Sequence, residues 1–570
     1  MEYYISFENP LTHFINIRLV LTGLTSDLTV LEIPLWRPGR YELANYAKNI
    51  QKITVVTPRG KPVPFKKIST SRWEVATKDT ETLEVHYNYY AHQLDAGASW
   101  LDEDQLYLNF INCMVYYKEQ MNRPCQVHLD LPNGYQIGCS LPTDDHRSLK
   151  AENYYQLVDS PMIASDKLEH LSYEVAGTTF HLWVMGDNNL NWQSIVPSFE
   201  AFSHLQYETM KEFPFDTYHF LYQTPVDKKY HGVEHASSTV IALGPGSEMD
   251  TQKMKESLLG VSSHELFHAW NVIGIRPKEM MPYDFSRENY FSTGFVAEGV
   301  TTYYGDLFLV RSGVFNRNQY FKELDTLCKR HFENYGRFNH SLVQSSYDLW
   351  LDGYDPGIPN RKVSIYTKGA LVALILDLLI KRCTDHRQSL DDLMNLLWKE
   401  YGKPGVGYSL EDYKSAAEKI AGSSLDSYFK KCINGTDPLE AILDDLLPEV
   451  GCGLQVTPND QKTKSLFGFA TISRKGVTII QSIAPDSPAE AVLSIDDQIL
   501  TINGSKVDKE INAFIPEKRI EIDLIRNGKP TKVVTESNQE NYFPQIRIRQ
   551  KPKATTKQKE RFEQWLKCNW

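Results

Sequence analysis

The sequence lacks any apolar stretch long enough to cross a lipid bilayer. Its longest apolar run, GALVALILDLLI at 369–380, contains Asp377, whereas a transmembrane helix needs about 20 predominantly apolar residues. The N-terminal segment MEYYISFENPLTHFINIRLVL also lacks the basic start and unbroken apolar block of a secretory signal. We therefore expect no membrane span, and the missing signal predicts a cytoplasmic protein.

Cysteine and clustered positive charge are also scarce. No C-x-x-C pair occurs, so free thiols in a reducing compartment are favoured over disulfides or a cysteine-bound metal cluster. The chain has no long run of lysine and arginine, and its formal net charge is -11, which argues against nucleic acid as a partner. The eight cysteines are Cys113, Cys125, Cys139, Cys328, Cys383, Cys432, Cys452 and Cys568.

The length of the chain and its patterns of apolar and polar residues predict a multidomain α+β fold. A chain of 570 residues is too long for one hydrophobic core and implies roughly three or four domains. Residues 1–165 contain short alternating stretches, such as the one in which Ile15, Ile17 and Leu19 alternate with polar residues, which is typical of β-strands. The pattern turns helical between about 250 and 445, and short strands return after 450.

Capping patterns support the helical assignment. Ser389 stands before two aspartates, and Ser409 pairs with Asp412 ahead of YKSAAEKIAG; both patterns predict helix starts. Gly422 predicts the end of the second helix.

The stretch VSSHELFHAW at 261–270 contains an H-E-x-x-H motif. On an α-helix, residues four apart lie above one another, so His264 and His268 can bind one metal ion while Glu265 flanks the water on that ion. Ser262 or Ser263 is expected to cap the start of this helix. The alternative is a surface helix that carries these residues by chance, which is uncommon in a chain of this length.

A catalytic zinc site needs a third protein ligand and an open fourth position. The segment FVAEGVTTYYGDL at 295–307 offers Glu298. Its neighbours are apolar, and an unpaired carboxylate there would be costly to desolvate, which favours metal ligation over a surface charge. Thr302 is either a contact of a ligating histidine or an ordinary helix threonine.

The segment GVTIIQSIAPDSPAEAVLSIDDQILTINGSKV at 476–507 follows the strand, turn, short helix and strand order that is typical of a PDZ domain. LFGF at 466–469 is similar to the carboxylate-binding loop of that fold, although Val492 and Asp496 stand where PDZ domains usually have glycines. The alternative is a small β-rich domain without a ligand.

Taken together, these motifs resemble the glycyl aminopeptidases, gluzincin metallopeptidases with a thermolysin-like catalytic core and a following PDZ-like domain. The chain departs from that family at Ile273 and Gly274, where basic residues are usual, and at Ile365, where a tyrosine is usual. The resemblance covers almost the whole chain and rests on LWRPGRYEL, GVEHASST at 232–239, HELFHAWNVIGIRP at 264–277, EGVTTYY at 298–304, YTKGALVALILDL at 366–378 and the PDZ-like segment.

The resemblance implies a role for each position of the metal motif. His264, His268 and Glu298 would bind one zinc ion per chain, and Glu265 would act as the general base. The resemblance also divides the chain into a β-sandwich-like domain, a thermolysin-like and mostly helical zinc domain, a PDZ-like domain and a tail that ends in a short helix, at 1–165, 166–448, 449–540 and 541–570 respectively.

Two further site residues depend mainly on the resemblance. It implies that Glu234 receives the free α-amino group of the substrate and that Tyr366 stabilises the oxyanion. From the residues alone, Glu234 also fits an edge-strand residue, and Tyr366 fits an ordinary packing tyrosine among 32. The neighbours expected in the pocket are His235, Asn271 and Arg276.

These inferences predict a zinc-dependent aminopeptidase that hydrolyses the N-terminal peptide bond of peptides; the resemblance adds a preference for glycine and alanine. The expected partners are peptide substrates and, at the PDZ-like domain, a peptide or protein C-terminus. One alternative is a zinc endopeptidase. Another is a PDZ-based peptide-binding scaffold with a non-catalytic metal site, although a structural zinc would not need Glu265 and usually has four protein ligands.

Overall fold

The computed structural model describes residues 1–143, 147–507, 515–516 and 518–570. These residues form two compact units, each built from helices and sheets. The first comprises residues 1–316, 346–355 and 388–420, and the second comprises residues 317–345, 356–387 and 421–570. The chain therefore has the multidomain mixed α and β fold that its sequence texture predicts.

Residues 2–165, in the first unit, are rich in β-sheet. Ile15, Ile17 and Leu19 are all buried, which confirms the strand predicted from their alternation. The sheets have the orders β13-β11-β1-β2-β7-β4, β10-β3-β6-β5 and β12-β14-β9-β8. In these sheets the strands are Glu2–Ser6 (β1), Phe14–Thr22 (β2), Leu28–Glu32 (β3), Ile50–Val56 (β4), Phe65–Lys67 (β5), Arg72–Ala76 (β6), Thr82–Tyr90 (β7), Trp100–Leu101 (β8), Leu106–Leu108 (β9), Tyr116–Tyr117 (β10), Cys125–Leu129 (β11), Gln136–Cys139 (β12), Ser148–Ala151 (β13) and Met162–Ser165 (β14).

A five-stranded sheet follows in the same unit. Its strands are Glu169–Val175 (β15), Thr178–Met185 (β16), Thr217–Gln223 (β17), Lys229–Glu234 (β18) and Ser238–Gly244 (β19). The order is β15-β16-β17-β19-β18. The three central strands are parallel, and β18 runs antiparallel to β19 at the edge. Glu234 is therefore the last residue of an edge strand.

The α-helices confirm the predicted helical middle of the chain. They are Tyr154–Val158 (α1), Trp192–Met210 (α2), Gln252–Phe267 (α3), Thr301–Arg311 (α4), Arg317–Phe332 (α5), Leu342–Tyr347 (α6), Leu349–Asp352 (α7), Thr367–Cys383 (α8), Leu390–Leu397 (α9), Leu410–Ala421 (α10), Asp426–Tyr428 (α11), Glu440–Leu446 (α12), Lys462–Ser465 (α13) and Thr556–Leu566 (α14).

The predicted caps of α9 and α10 are confirmed. Ser389 caps α9 and forms a capping box with Asp392. The hydroxyl of Ser409 accepts from the Asp412 amide at 3.1 Å, and the Asp412 carboxylate accepts in return from the Ser409 amide at 2.8 Å. Gly422 follows the last residue of α10 with a φ of 63°, the left-handed conformation that commonly ends a helix.

The C-terminal strands are Cys452–Thr457 (β20), Phe469–Arg474 (β21), Val477–Ile483 (β22), Gln498–Ile502 (β23), Ser505–Lys506 (β24), Arg519–Arg526 (β25), Lys529–Glu536 (β26) and Gln545–Gln550 (β27). One sheet has the order β21-β22-β23-β25-β26, and β24 pairs with β23. The buried core beneath it includes Phe467, Phe469, Ile480 and Ile522.

Three sequence expectations fall in this region. The predicted tail ends in a short helix, α14, but it also contains β27, which pairs antiparallel with β20. Asp496 adopts a φ of 66°, so an aspartate takes the left-handed conformation at a position where a glycine was expected. Residues 508–514 and 517 of the predicted PDZ-like domain lie outside the described residues, and the PDZ assignment stays a prediction.

Two further observations concern the chain as a whole. Among the described residues, no helix is both long and apolar enough to cross a membrane. All eight cysteines lie in the described ranges and are free, with six of them buried.

Candidate metal centre

Helix α3 brings the H-E-x-x-H motif to its C-terminal end. The helix begins at Gln252, and the hydroxyl of Thr251 caps it by accepting from the Met254 amide at 3.3 Å. The expectation that Ser262 or Ser263 caps this helix is wrong. Both serines lie inside it, where their hydroxyls donate to the carbonyl oxygens of Leu258 at 2.6 Å and Gly305 at 2.8 Å.

Helix α4 lies against α3 and follows the segment that carries Glu298. That segment, Phe295–Val300, is π-helical and leads directly into α4. The two helices approach closely at Gly305, where an added Cβ would lie 3.1 Å from the Cβ of His264. A larger residue at 305 would therefore displace the helix that carries His264.

Three of the predicted site residues converge on one point. His264, His268 and Glu298 each offer a ligand atom, and these atoms lie within 4.8 Å of one another. The two Nε2 atoms are 2.9 Å apart, and His268 Nε2 lies 3.4 Å from a Glu298 carboxylate oxygen. Glu298 and His268 are both almost fully buried.

The turn after α3 fixes the orientation of His268. The ring Nδ1 lies 2.7 Å from the carbonyl oxygen of Asn271; because a carbonyl can only accept, Nδ1 carries the hydrogen and Nε2 faces the cluster. The side-chain amide of Asn271 donates to the Val296 carbonyl at 2.8 Å and lies 3.0 Å from the Thr301 hydroxyl. Asn271 thus ties the His268 turn to the segment that carries Glu298.

Glu234 joins the same cluster from β18. A ligand atom from each of Glu234, Glu265 and His268 lies within 4.8 Å of the others. Two glycines make room for the carboxylates: an added Cβ at Gly39 would lie 2.6 Å from a Glu234 oxygen, and one at Gly232 would lie 2.1 Å from a Glu265 oxygen. The φ of 76° at Gly39 also suits glycine.

The electrostatics of the cluster follow from its burial and its three carboxylates. Burial raises the pKa of Glu265 to about 8, with further increases from the charges of Glu234 and Glu298. Burial lowers the pKa of His264 well below its usual range, which keeps that imidazole neutral. Burial also opposes a charge on His268, but the carboxylates of Glu298, Glu234 and Glu265 together outweigh it and raise the His268 pKa to about 10. The site therefore favours a positive charge at His268 Nε2.

These residues fit a zinc ion. Zinc binds neutral imidazole nitrogens and carboxylate oxygens, and the Nδ1 hydrogen bond of His268 is the supporting contact that zinc-binding histidines usually make. Glu265 Oε2 and Glu234 Oε1 are buried and have no hydrogen-bond partner among the described residues. Buried oxygens without partners are costly, and a bound cation and its substrate would provide partners for them.

Three further residues named from the sequence are not among the proposed metal ligands. Tyr366 is half-buried in the second compact unit, directly before α8. The hydroxyl of Thr302 donates to the carbonyl of Glu298 at 2.8 Å, as an ordinary helix threonine does. His235 Nδ1 lies 3.0 Å from an Asp159 oxygen.

Sequence reasoning missed two features of the cluster. The supporting role of Asn271 depends on its backbone carbonyl, which a residue type does not reveal. The approach of Gly39 to Glu234 joins two distant segments; the only available signal was the occurrence of both in the LWRPGRYEL and GVEHASST motifs.

Two family models match separate parts of the chain. The model of the peptidase M61 N-terminal domain matches residues 2–166, and the model of the M61 glycyl aminopeptidase matches residues 257–372. No curated protein sequence matches significantly.

Solved structures resemble this chain to different extents. The structure of an aminopeptidase N family protein from Idiomarina loihiensis is similar with a TM-score of 0.91 and 24% sequence identity, covering 99% of each chain. An M1 zinc metallopeptidase from Deinococcus radiodurans aligns with 77% of this chain and 94% of its own at 12% identity, with a TM-score of 0.48.

Proposed function

Because this chain belongs to the M61 peptidase family, we propose that it is a zinc-dependent aminopeptidase that hydrolyses the N-terminal peptide bond of peptides. The observation that carries the proposal is the convergence of two histidines and three buried glutamates in one cluster. The catalytic-domain match is to M61 glycyl aminopeptidases. That match also supports a preference for small N-terminal residues such as glycine and alanine.

Glu234 is the proposed anchor for the substrate amine. Its buried Oε1 has no hydrogen-bond partner among the described residues, and a substrate ammonium group would supply a charge-assisted one. Holding the amine here would align the first peptide bond with the cluster. An endopeptidase substrate has no free amine near the scissile bond, so it would not pair with a buried carboxylate at this position.

His264, His268 and Glu298 are the proposed zinc ligands. When bound, zinc supplies a Lewis acid that lowers the pKa of water to about 7 and polarises the substrate carbonyl. Glu265 would take the proton of the attacking water on its buried Oε2 and pass it to the leaving amine. Tyr366 is proposed to donate a hydrogen bond from its hydroxyl to the oxyanion.

The C-terminal sheet is proposed as a PDZ-like domain that binds the C-terminus of a peptide or protein. Its support is the strand order along 476–507 and the buried Phe467 and Phe469 of the LFGF segment. This function is separate from the hydrolytic one.

Three substrates test the proposed activity. Hydrolysis should be measured for Ala-Ala-amide, for its N-acetyl form and for an internally quenched peptide with both ends blocked. We expect cleavage of the free-amine substrate alone, because only it can pair with Glu234. Comparable cleavage of the blocked peptides would establish an endopeptidase, and no cleavage of any substrate by the zinc-loaded protein would favour a non-catalytic scaffold.

Glu234→Gln provides the matched variant. The amide keeps the shape of the carboxylate but loses its charge, so the preference for the free amine over the acetylated form should narrow while turnover weakens. An unchanged preference would remove Glu234 from amine recognition.

A further inference from the structure

A cavity of about 520 Å³ lies in the first compact unit beside the catalytic cluster. Its wall includes Arg37, Asp159, His235, Arg276 and Tyr283. A volume of this size suits a small ligand or a peptide side chain. The role of this cavity does not follow from the metal site, because none of the three proposed zinc ligands lines it.

Two arginines in the wall have no carboxylate partner in the part of the chain that the structure describes. Arg276 donates to the Ile273 carbonyl at 3.0 Å, and its guanidinium carbon lies 4.1 Å from the centre of the Tyr283 ring. Its Nε is buried without a hydrogen-bond partner among the described residues. Arg37, which is only 5% exposed, donates to the Pro38 carbonyl at 3.0 Å and lies 3.5 Å from His231.

The nearby carboxylates are already engaged. Asp159, in the cavity wall, lies 3.0 Å from His235 Nδ1 and accepts from the Ala236 amide at 2.9 Å. Asp95 lies 3.7 Å from His231 Nδ1. Within the described part of the chain, neither arginine lies at ion-pair distance from a carboxylate. Arg37 is buried, and Arg276 is half-buried with a buried Nε. Because buried arginines are rarely unpaired, the cavity offers two positive groups to an anion.

The cavity adjoins the proposed amine anchor. His235 in its wall is the residue after Glu234, and Arg37 and Pro38 precede Gly39, which abuts the Glu234 carboxylate. A peptide whose amine is held by Glu234 would therefore have other atoms close to these arginines.

We infer that this cavity is a carboxylate-binding subsite of the aminopeptidase proposed above, on which the inference rests. A planar carboxylate matches the guanidinium fork of Arg276 and can accept two parallel hydrogen bonds from it. The substrates would be short peptides with a carboxylate close to the scissile bond. That group is either the free C-terminus of a dipeptide or tripeptide, or the side chain of an acidic N-terminal residue.

Matched substrate pairs test the inference and separate the two sources. The value of kcat/KM should be compared for Ala-Ala and Ala-Ala-amide, for Ala-Ala-Ala and its amide, and for Glu-Ala-amide and Gln-Ala-amide. We expect the carboxylate member to be preferred about tenfold to a hundredfold in at least one pair, the range for a hydrogen bond to a charged group. A preference in the first two pairs identifies the C-terminus, and one in the third identifies the acidic side chain.

Arg276→Gln should reduce that preference to within threefold, and Arg276→Lys, which keeps the charge but loses the fork, should retain part of it. Arg287→Gln is the matched control, because Arg287 is exposed and pairs with Asp284 at 2.8 Å; it should keep the wild-type preference. Circular dichroism and thermal unfolding would verify the fold of each variant, and if the glutamine variant fails to fold, the lysine variant carries the test.

Two results would overturn the inference. One is a wild-type enzyme that cleaves the amides but whose kcat/KM values for the two members of every pair differ by less than threefold. The other is a folded Arg276→Gln variant that keeps the full preference. Failure of the proposed function would be distinguished by the absence of any cleavage of the free-amine amides.

Discussion

At the scale of single residues, substitution of Glu265 tests the proposed general base. Its carboxylate is buried and one oxygen lacks a hydrogen-bond partner among the described residues. Glu265→Gln keeps the shape but cannot accept the proton of the attacking water, so turnover should fall by about 10² to 10⁴-fold. Steady-state kinetics measure the loss, and metal analysis should show near-normal zinc content.

Glu298→Ala is the companion to that variant. It removes a proposed metal ligand, so zinc occupancy should fall together with activity. Substantial activity in Glu265→Gln would exclude this glutamate as the base, and full zinc retention in Glu298→Ala would mean that another residue is the third ligand.

Tyr366 is tested by removing one hydroxyl. Tyr366→Phe keeps the ring but deletes the proposed donor to the oxyanion, so kcat should fall about 10² to 10³-fold. KM, zinc content and thermal stability should change little, because the loss is confined to the transition state. Tyr347→Phe, at an exposed tyrosine, is the control; equal kcat values for the two variants would show that Tyr366 has no such role.

At the scale of elements, the close contact between α3 and α4 predicts a steric effect on metal binding. Gly305→Val would place side-chain atoms where even a Cβ lies 3.1 Å from His264, and overpacking of this kind typically costs about 1–3 kcal/mol. We expect a lower melting temperature and weaker zinc binding, measured by thermal unfolding and zinc titration.

Gly260→Ala is the control on the same helix. An added Cβ there meets only an Asp306 oxygen at 3.9 Å, and alanine is favoured over glycine within a helix by roughly 0.5–1 kcal/mol. This variant should be at least as stable as the wild type. A Gly305→Val protein with wild-type zinc affinity would show that the contact does not position His264.

Helix caps and strands could be predicted where the sequence pattern that specifies them lies within a few neighbouring residues. The caps at Ser389 and Ser409 each involve residues three positions apart, and the alternation in β2 reflects burial of one face. The start of α3 was misplaced because serine hydroxyls can cap a helix or bond within it, and Ser263 finds its partner in Gly305 of another helix. Strand β27 was missed because its partner, β20, lies far earlier in the chain.

At the scale of the whole molecule, the cluster draws on segments that are distant in sequence. Gly39 comes from the region matched to the M61 N-terminal domain, Glu234 from the edge of the five-stranded sheet, and Glu265 from α3. The helical period predicts the proximity of His264 and His268, and their approach to Glu298 was expected from its apolar surroundings. No spacing rule predicts the glycine that abuts Glu234, because that contact depends on the tertiary fold.

A zinc-dependent aminopeptidase should lose its activity when the metal is removed and regain it when zinc is restored. Metal should be stripped with a chelator, and hydrolysis of Ala-Ala-amide and of its N-acetyl form should be followed as zinc is added back. We predict that the stripped protein is inactive and that one equivalent of zinc per chain restores cleavage of the free-amine substrate alone. Activity that survives metal removal, or equal cleavage of the acetylated substrate, would contradict the account.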